Sequence, residues 1–206
     1  MLSIAMILIA FIAGSLPFSV WLGKVLLGLD VRGYGDGNPG AANAFKTGNK
    51  LVGLLALLLD ISKAAAPVGL AYFNLGMRGT AMGLIAIAPI LGHVFSPFLH
   101  FRGGKGLAAA LGVWIGLTLW KVSLPAVVGA LIGIALFTPP GWSVMLALGG
   151  ILVVLLTWLP NPLLLAVWLG ETLILVWTHR IDLRRGIRLR PWLERLSTRS
   201  KGRSSS

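Results

Sequence analysis

Apolar runs about as long as a lipid bilayer is thick constrain this chain more than any other feature. Leu2 to Leu22, Leu51 to Phe73 and Thr80 to Leu99 each approach, as helices, the roughly 30 Å hydrocarbon layer. Four further runs are shorter: Leu107 to Trp120, Val122 to Phe137, Ser143 to Leu159 and Pro162 to Thr178, separated only by Lys121, TPPG and LPNP. In hydrocarbon every backbone N–H and C=O needs a partner inside the protein, and a helix supplies one within each segment. The expected fold is therefore all-α, a polytopic membrane helix bundle of about seven transmembrane helices. A charged fraction of 12% and a mean hydropathy of +0.87 agree with it, since a soluble domain carries about twice that charge.

A net charge of +12 raises nucleic-acid binding, but the basic residues fall between the apolar runs and in the tail. With seven spans, fifteen of the eighteen collect on one face, including Lys24, Arg32, Lys46, Lys50, Arg102, Lys105 and all those from Arg180 onward. The other face receives Arg78 and Lys121, and Lys63 falls inside a span. By the positive-inside tendency the amino terminus is outside and the carboxyl terminus cytoplasmic, and no nucleic-acid partner is expected. The amino terminus, apolar from Leu2 with no basic residue before Lys24, reads as a first span and not as a secretory signal. Residues 1–186 form the membrane domain, and 187–206 form a basic, flexible cytoplasmic tail. Its Trp192, Leu193 and Leu196 among arginines suit either a topology anchor or contact with an anionic leaflet.

The polar chemistry gathers on the cytoplasmic face. In the first loop Gly33, Gly35, Gly37, Gly40 and Gly48 alternate with Asn38, Asn43, Arg32, Lys46 and Lys50. Glycines let a ligand approach backbone N–H groups, and a phosphate is the natural guest, although a turn-rich connector made cationic by topology has the same composition. A second segment, HFRGGKG, sets Gly103, Gly104 and Gly106 around Lys105 beside Arg102, ahead of a helix expected to start at Gly106. A helix amino terminus favours an anion. No Ser or Thr follows the Lys to hold magnesium, so this is phosphate recognition without the nucleotide-binding P-loop. His93 and His179 close the third and seventh spans, near enough to contact a phosphate or a hydroxyl, whereas His100 reads as an interface residue. Asp60 and Lys63, at i, i+3 in mid-membrane, suit either a functional pair or one that fixes helix packing.

Other chemistries lack their residues. There is no Cys, and hence no disulfide framework, thiolate metal site or thioester intermediate. No HExxH and no carboxylate cluster offers a metal site, six acidic residues are too few for a two-metal centre, and no His stands five positions before an Asp. Two-metal and Ser-His-Asp mechanisms are not expected.

GSLPFSVWLGK, DVRGYGDGNPGAANAFKTGNK, LLLDISKA, GHVFSPFLHFRGGKG and THRIDLRRG follow one another in the order seen in the bacterial acyl-phosphate-dependent glycerol-3-phosphate acyltransferases, which this chain resembles from Gly14 to about Gly186. The resemblance implies a seven-span membrane enzyme that moves a fatty acyl group from acyl phosphate to the first-position hydroxyl of glycerol 3-phosphate, with no metal, cofactor or covalent acyl-enzyme. It implies that Gly103, Gly104, Lys105 and Gly106 form the phosphate loop, with Lys105 and His179 catalytic. Asn38, Asn43, Lys46, His93, Arg102 and Asp182 would join the glycines in substrate binding. Membrane lipid is the other partner, and a monomer is compatible with the sequence.

This chain departs from the family pattern at several positions. Lys46 stands for an arginine, Arg102 for a lysine, Asp36 for a serine, Ala42 for a threonine and Asp182 for an asparagine, while Ser143 is displaced from its expected place. Two added carboxylates beside a phosphate site need neutralising, and Lys46, Arg180 and Arg184 are the expected cations. The alternative reading is a diverged, non-catalytic relative that binds or transports a phosphorylated small molecule or lipid.

Overall fold

The computed structural model describes residues 1–193, and its helices follow the apolar runs. In order they are α1 (Leu2–Ser15), α2 (Phe18–Leu27), α3 (Ala41–Lys46), α4 (Lys50–Gly69), α5 (Gly79–Val94), α6 (Leu107–Thr118), α7 (Trp120–Leu136), α8 (Pro140–Thr157), α9 (Pro162–Thr178) and α10 (Arg180–Arg184). Four stretches are long and apolar enough to cross a bilayer: Leu2–Leu27, Lys50–Asn74, Gly79–Leu99 and Pro140–Thr157. The shorter α6, α7 and α9 are equally apolar. Successive crossings alternate in direction, so the segments 28–49, 95–106 and 179–193 meet at one end of the bundle.

The first span is broken where the sequence reading ran it straight through. Pro17 lacks an N–H and forces Leu16 out of the helical region, to φ −63° and ψ 120°. A break in hydrocarbon leaves carbonyls without partners, and two side chains supply them, one from the segment after α5 and one from α4. Ser96 Oγ donates to Ser15 O at 2.6 Å, and Lys63 Nζ donates to Leu16 O at 2.6 Å. Lys63 also pairs with Asp60 at 2.8 Å, and Asp60 accepts from Ser19 Oγ at 2.7 Å. The pair in mid-membrane thus ties α4 to the α1–α2 corner. Of its two readings from sequence, the structure shows the packing one.

Small residues set the helix spacing. A Cβ on Gly92 would strike Phe11 O, and one on Gly112 would strike Ile61 O, so α5 lies against α1 and α6 against α4 at backbone contact. Trp114, Met82, Ile85, Leu155 and Leu175 fill the space between. The α6–α7 boundary lies at Leu119, not at Lys121 as the charge suggested. Leu119 turns the chain with φ 55° and ψ −123°, and Lys121 sits in the first turn of α7.

The tail expected to be flexible is tied down over its described part. Arg190 N donates to Leu136 O at 2.8 Å, Thr138 N to Arg188 O at 2.9 Å and Trp192 Nε1 to Ala135 O at 3.1 Å. The first and last satisfy the Leu136 and Ala135 carbonyls at the end of α7, and the second gives the Thr138 N–H an acceptor in the tail. Leu196 lies outside the described residues.

Candidate active site

The glycine segment is built on the end of α5. Gly103 N donates to Val94 O and Gly104 N to His93 O, each at 3.0 Å, after a left-handed turn through His100 and Phe101. A Cβ on Gly103 would fall on the His93 and Val94 carbonyls, and one on Gly104 on the His93 ring. Gly103 and Gly104 thus spend their N–H groups on α5 and shape the loop. Gly106, with φ 87°, turns the chain into α6, which begins one residue later than expected, at Leu107.

Lys105 is the meeting point of the three polar segments. Its carbonyl accepts from Thr178 Oγ1 at 2.9 Å, which docks it on the end of α9. Its ammonium lies 2.9 Å from Asp36 of the first loop and 3.2 Å from Asp182 of α10. The cation that neutralises both carboxylates is therefore Lys105, not Lys46, Arg180 or Arg184. Partial burial opposes the charge of Asp36, but Lys105 and the amides around it prevail and bring its carboxyl down to about 2. Burial likewise works against the Lys105 ammonium, and the two carboxylates outweigh it and raise it above the usual lysine range.

The first loop is braced from within. Asp36 Oδ1 accepts from Asn38 N at 3.2 Å and from Asn43 Nδ2 at 2.9 Å, and Asn43 Nδ2 also reaches Asn38 O at 3.0 Å. Asn43 is buried, so its bonds hold the loop closed. Arg32 turns away onto Asp30 at 2.6 Å. Lys46, whose ammonium lies against Gly35, and Arg102 are both exposed and make no ion pair among the described residues. They are the exposed cations at the rim.

His179 ends α9 beside this cluster and is 3% exposed. Its Nδ1 lies 2.9 Å from Leu175 O, which only accepts, so Nδ1 carries the proton and Nε2 is the unprotonated nitrogen. Burial first, then the Lys105 charge, pushes its pKa below the usual histidine range. Asp182 packs against the amino-terminal turn of α8, where a Cβ on Gly141 would stand 2.9 Å from the Asp182 Cβ. Ser143, two residues further, is buried with no hydroxyl partner among the described residues. His93 is buried behind Gly104 and supports the loop from beneath, and His100 is exposed at the surface.

Sequence reasoning missed Thr178, Ser96 and Glu171. Glu171 is buried in α9 with Oε2 unpartnered among the described residues. The signal for Ser96 was available: Pro17 demands an outside donor for the carbonyls before it. No local pattern marks Thr178, whose partner is 73 residues away.

The chain is similar to known proteins over most of its length. The family model described as glycerol-3-phosphate acyltransferase matches residues 4–188. A glycerol-3-phosphate acyltransferase of Aromatoleum aromaticum is 39% identical over 184 residues, covering 87% of this chain and 90% of that protein. One of Desulfovibrio desulfuricans is 32% identical over 208 residues, covering all of this chain and 90% of its own. One of an Anaeromyxobacter species is 40% identical over 131 residues, a match that spans 64% of that relative's length. The crystal structure of PlsY (YgiH), an integral membrane glycerol 3-phosphate acyltransferase in its glycerol 3-phosphate form, superposes with a TM-score of 0.81 at 26% identity, covering 94% of this chain and 98% of that one.

Proposed function

Because the chain belongs to the glycerol-3-phosphate acyltransferase family, we propose that it transfers a fatty acyl group from acyl phosphate to the first-position hydroxyl of glycerol 3-phosphate, releasing lysophosphatidic acid and phosphate for phospholipid synthesis. The observation that carries this reading is Lys105, held where three polar segments converge and backed by a glycine loop that only glycine can form.

An acyl phosphate is already activated, since phosphate is a good leaving group, so the site has to position two phosphate-bearing molecules and stabilise charge. Acyl phosphate enters from the bilayer with its phosphate against Lys105 and the first turn of α6, whose N–H groups point outward. Glycerol 3-phosphate comes from the cytoplasm, guided by Lys46 and Arg102. Its hydroxyl lies by His179 Nε2, which accepts a hydrogen bond and orients it. Attack on the acyl carbon forms the ester and breaks the bond to phosphate, and the hydroxyl proton leaves with the phosphate. No residue of the chain becomes acylated. Asn38, Asn43 and Asp182 hold the loop and Lys105 in place. The bundle sits in the cell membrane as a multi-pass protein with this face in the cytoplasm, as the basic residues favour.

The test is purified protein in lipid, given palmitoyl phosphate or palmitoyl-CoA with glycerol 3-phosphate. Lysophosphatidic acid and inorganic phosphate are expected from acyl phosphate alone. No product from either donor, by folded protein that binds glycerol 3-phosphate, overturns the proposal and leaves the non-catalytic alternative.

A further inference from the structure

Lys105, the ammonium that the proposed reaction needs for a phosphate, is already occupied. Two carboxylates lie on it, 2.9 and 3.2 Å away, so the three groups together carry one net negative charge. A phosphate dianion arriving there meets repulsion unless one carboxylate leaves. The two are not equally able to leave. The Asp182 side chain is 10% exposed and packed against the start of α8, whereas that of Asp36 is 48% exposed on a glycine-flanked loop. Gly35 and Gly37, both at positive φ, let that loop move without straining a side chain.

We propose that Asp36 sets the affinity of this site for phosphate: its carboxylate takes the seat on Lys105, and a phosphate-bearing substrate binds by exchanging with it. Asp182 remains on Lys105 throughout and keeps the ammonium aimed into the site. Lys46, at the end of α3 and without an ion pair among the described residues, receives the displaced Asp36 or the incoming phosphate. The carboxyl of Asp36, held down at about 2, is too weak a base to take the acceptor proton, so its role is that of a counter-ion. This inference rests on the phosphate-binding part of the proposed function and not on turnover.

The test is Asp36→Asn, which keeps the acceptor for Asn38 N and Asn43 Nδ2 and removes only the charge. The control is Asp30→Asn in the same loop, whose carboxylate sits on Arg32 and on Lys24 of α2. In the full chain in lipid nanodiscs, calorimetry reads the binding of glycerol 3-phosphate and of inorganic phosphate. Asp36→Asn should bind both about tenfold more tightly, and Asp30→Asn should change neither by more than about twofold. In turnover, the KM of glycerol 3-phosphate or of palmitoyl phosphate falls for whichever phosphate exchanges with Asp36, with kcat less affected. Unchanged or weaker binding in both Asp36→Asn and Asp36→Ser overturns the inference. Tighter binding without product in any variant supports it while overturning acyl transfer, so the two failures are distinguishable.

Discussion

Replacing Lys63 by methionine isolates what the buried pair does. The change keeps most of the apolar stem and removes the ammonium, which leaves Asp60 charged at 2% side-chain exposure and the Leu16 carbonyl without its donor. Breaking a buried pair on one side costs about 3–5 kcal/mol, because the remaining charge keeps only the Ser19 hydroxyl and has neither water nor counter-ion. In a chain of this size each kcal/mol moves the midpoint by about 2–4 °C, so Tm should fall by about 6–20 °C. Adding Asp60→Asn removes the stranded charge while keeping an acceptor for Ser19, and the double variant should recover all but the carbonyl's share, about 1–3 kcal/mol. Tryptophan fluorescence during thermal unfolding in nanodiscs reads all three proteins. A single-variant loss under about 1 kcal/mol, or a double variant as unstable as Lys63→Met, would refute the claim that the pair secures the α1–α2 corner by charge.

Gly104→Ala drives a Cβ into the His93 ring, and the resulting shift of Lys105 should lower kcat/KM about a hundredfold with the fold retained, read by phosphate release and Tm together. Acid should destabilise the protein through His179. Its folded pKa lies below its unfolded 6.5, so the unfolded chain binds more protons in between; this part of the stability is complete above pH 6.5 and is lost as pH falls from there towards the folded value. Tm against pH from 5 to 8 checks it, and His179→Gln should flatten that part of the slope.

The membrane bundle was legible because hydrocarbon imposes the same demand on every span, and the length of each apolar run reports it. The breaks were less legible. Pro17 announced its corner only to a reader who asks where the carbonyls before it go, while the turn at Leu119 has no local mark in the sequence. At the site, the residue types of the glycine loop and of Lys105 spoke for phosphate before any geometry was known. Their division of labour did not: only the fold shows that the Gly103 and Gly104 N–H groups are taken by α5, and that Lys105 neutralises Asp36 and Asp182. Those partners lie 69 and 77 residues from Lys105 in sequence. Charges so far apart pair by topology, which composition does not encode.

The central claim is that Lys105, where the three segments meet, serves acyl transfer. Lys105→Met keeps the stem and removes the charge, and the decisive measurement is kcat/KM for lysophosphatidic acid formation from palmitoyl phosphate and glycerol 3-phosphate by folded protein in lipid. A fall of about a hundredfold or more is expected for loss of a charged donor at the reacting phosphate. Transfer at the unaltered rate would contradict the account.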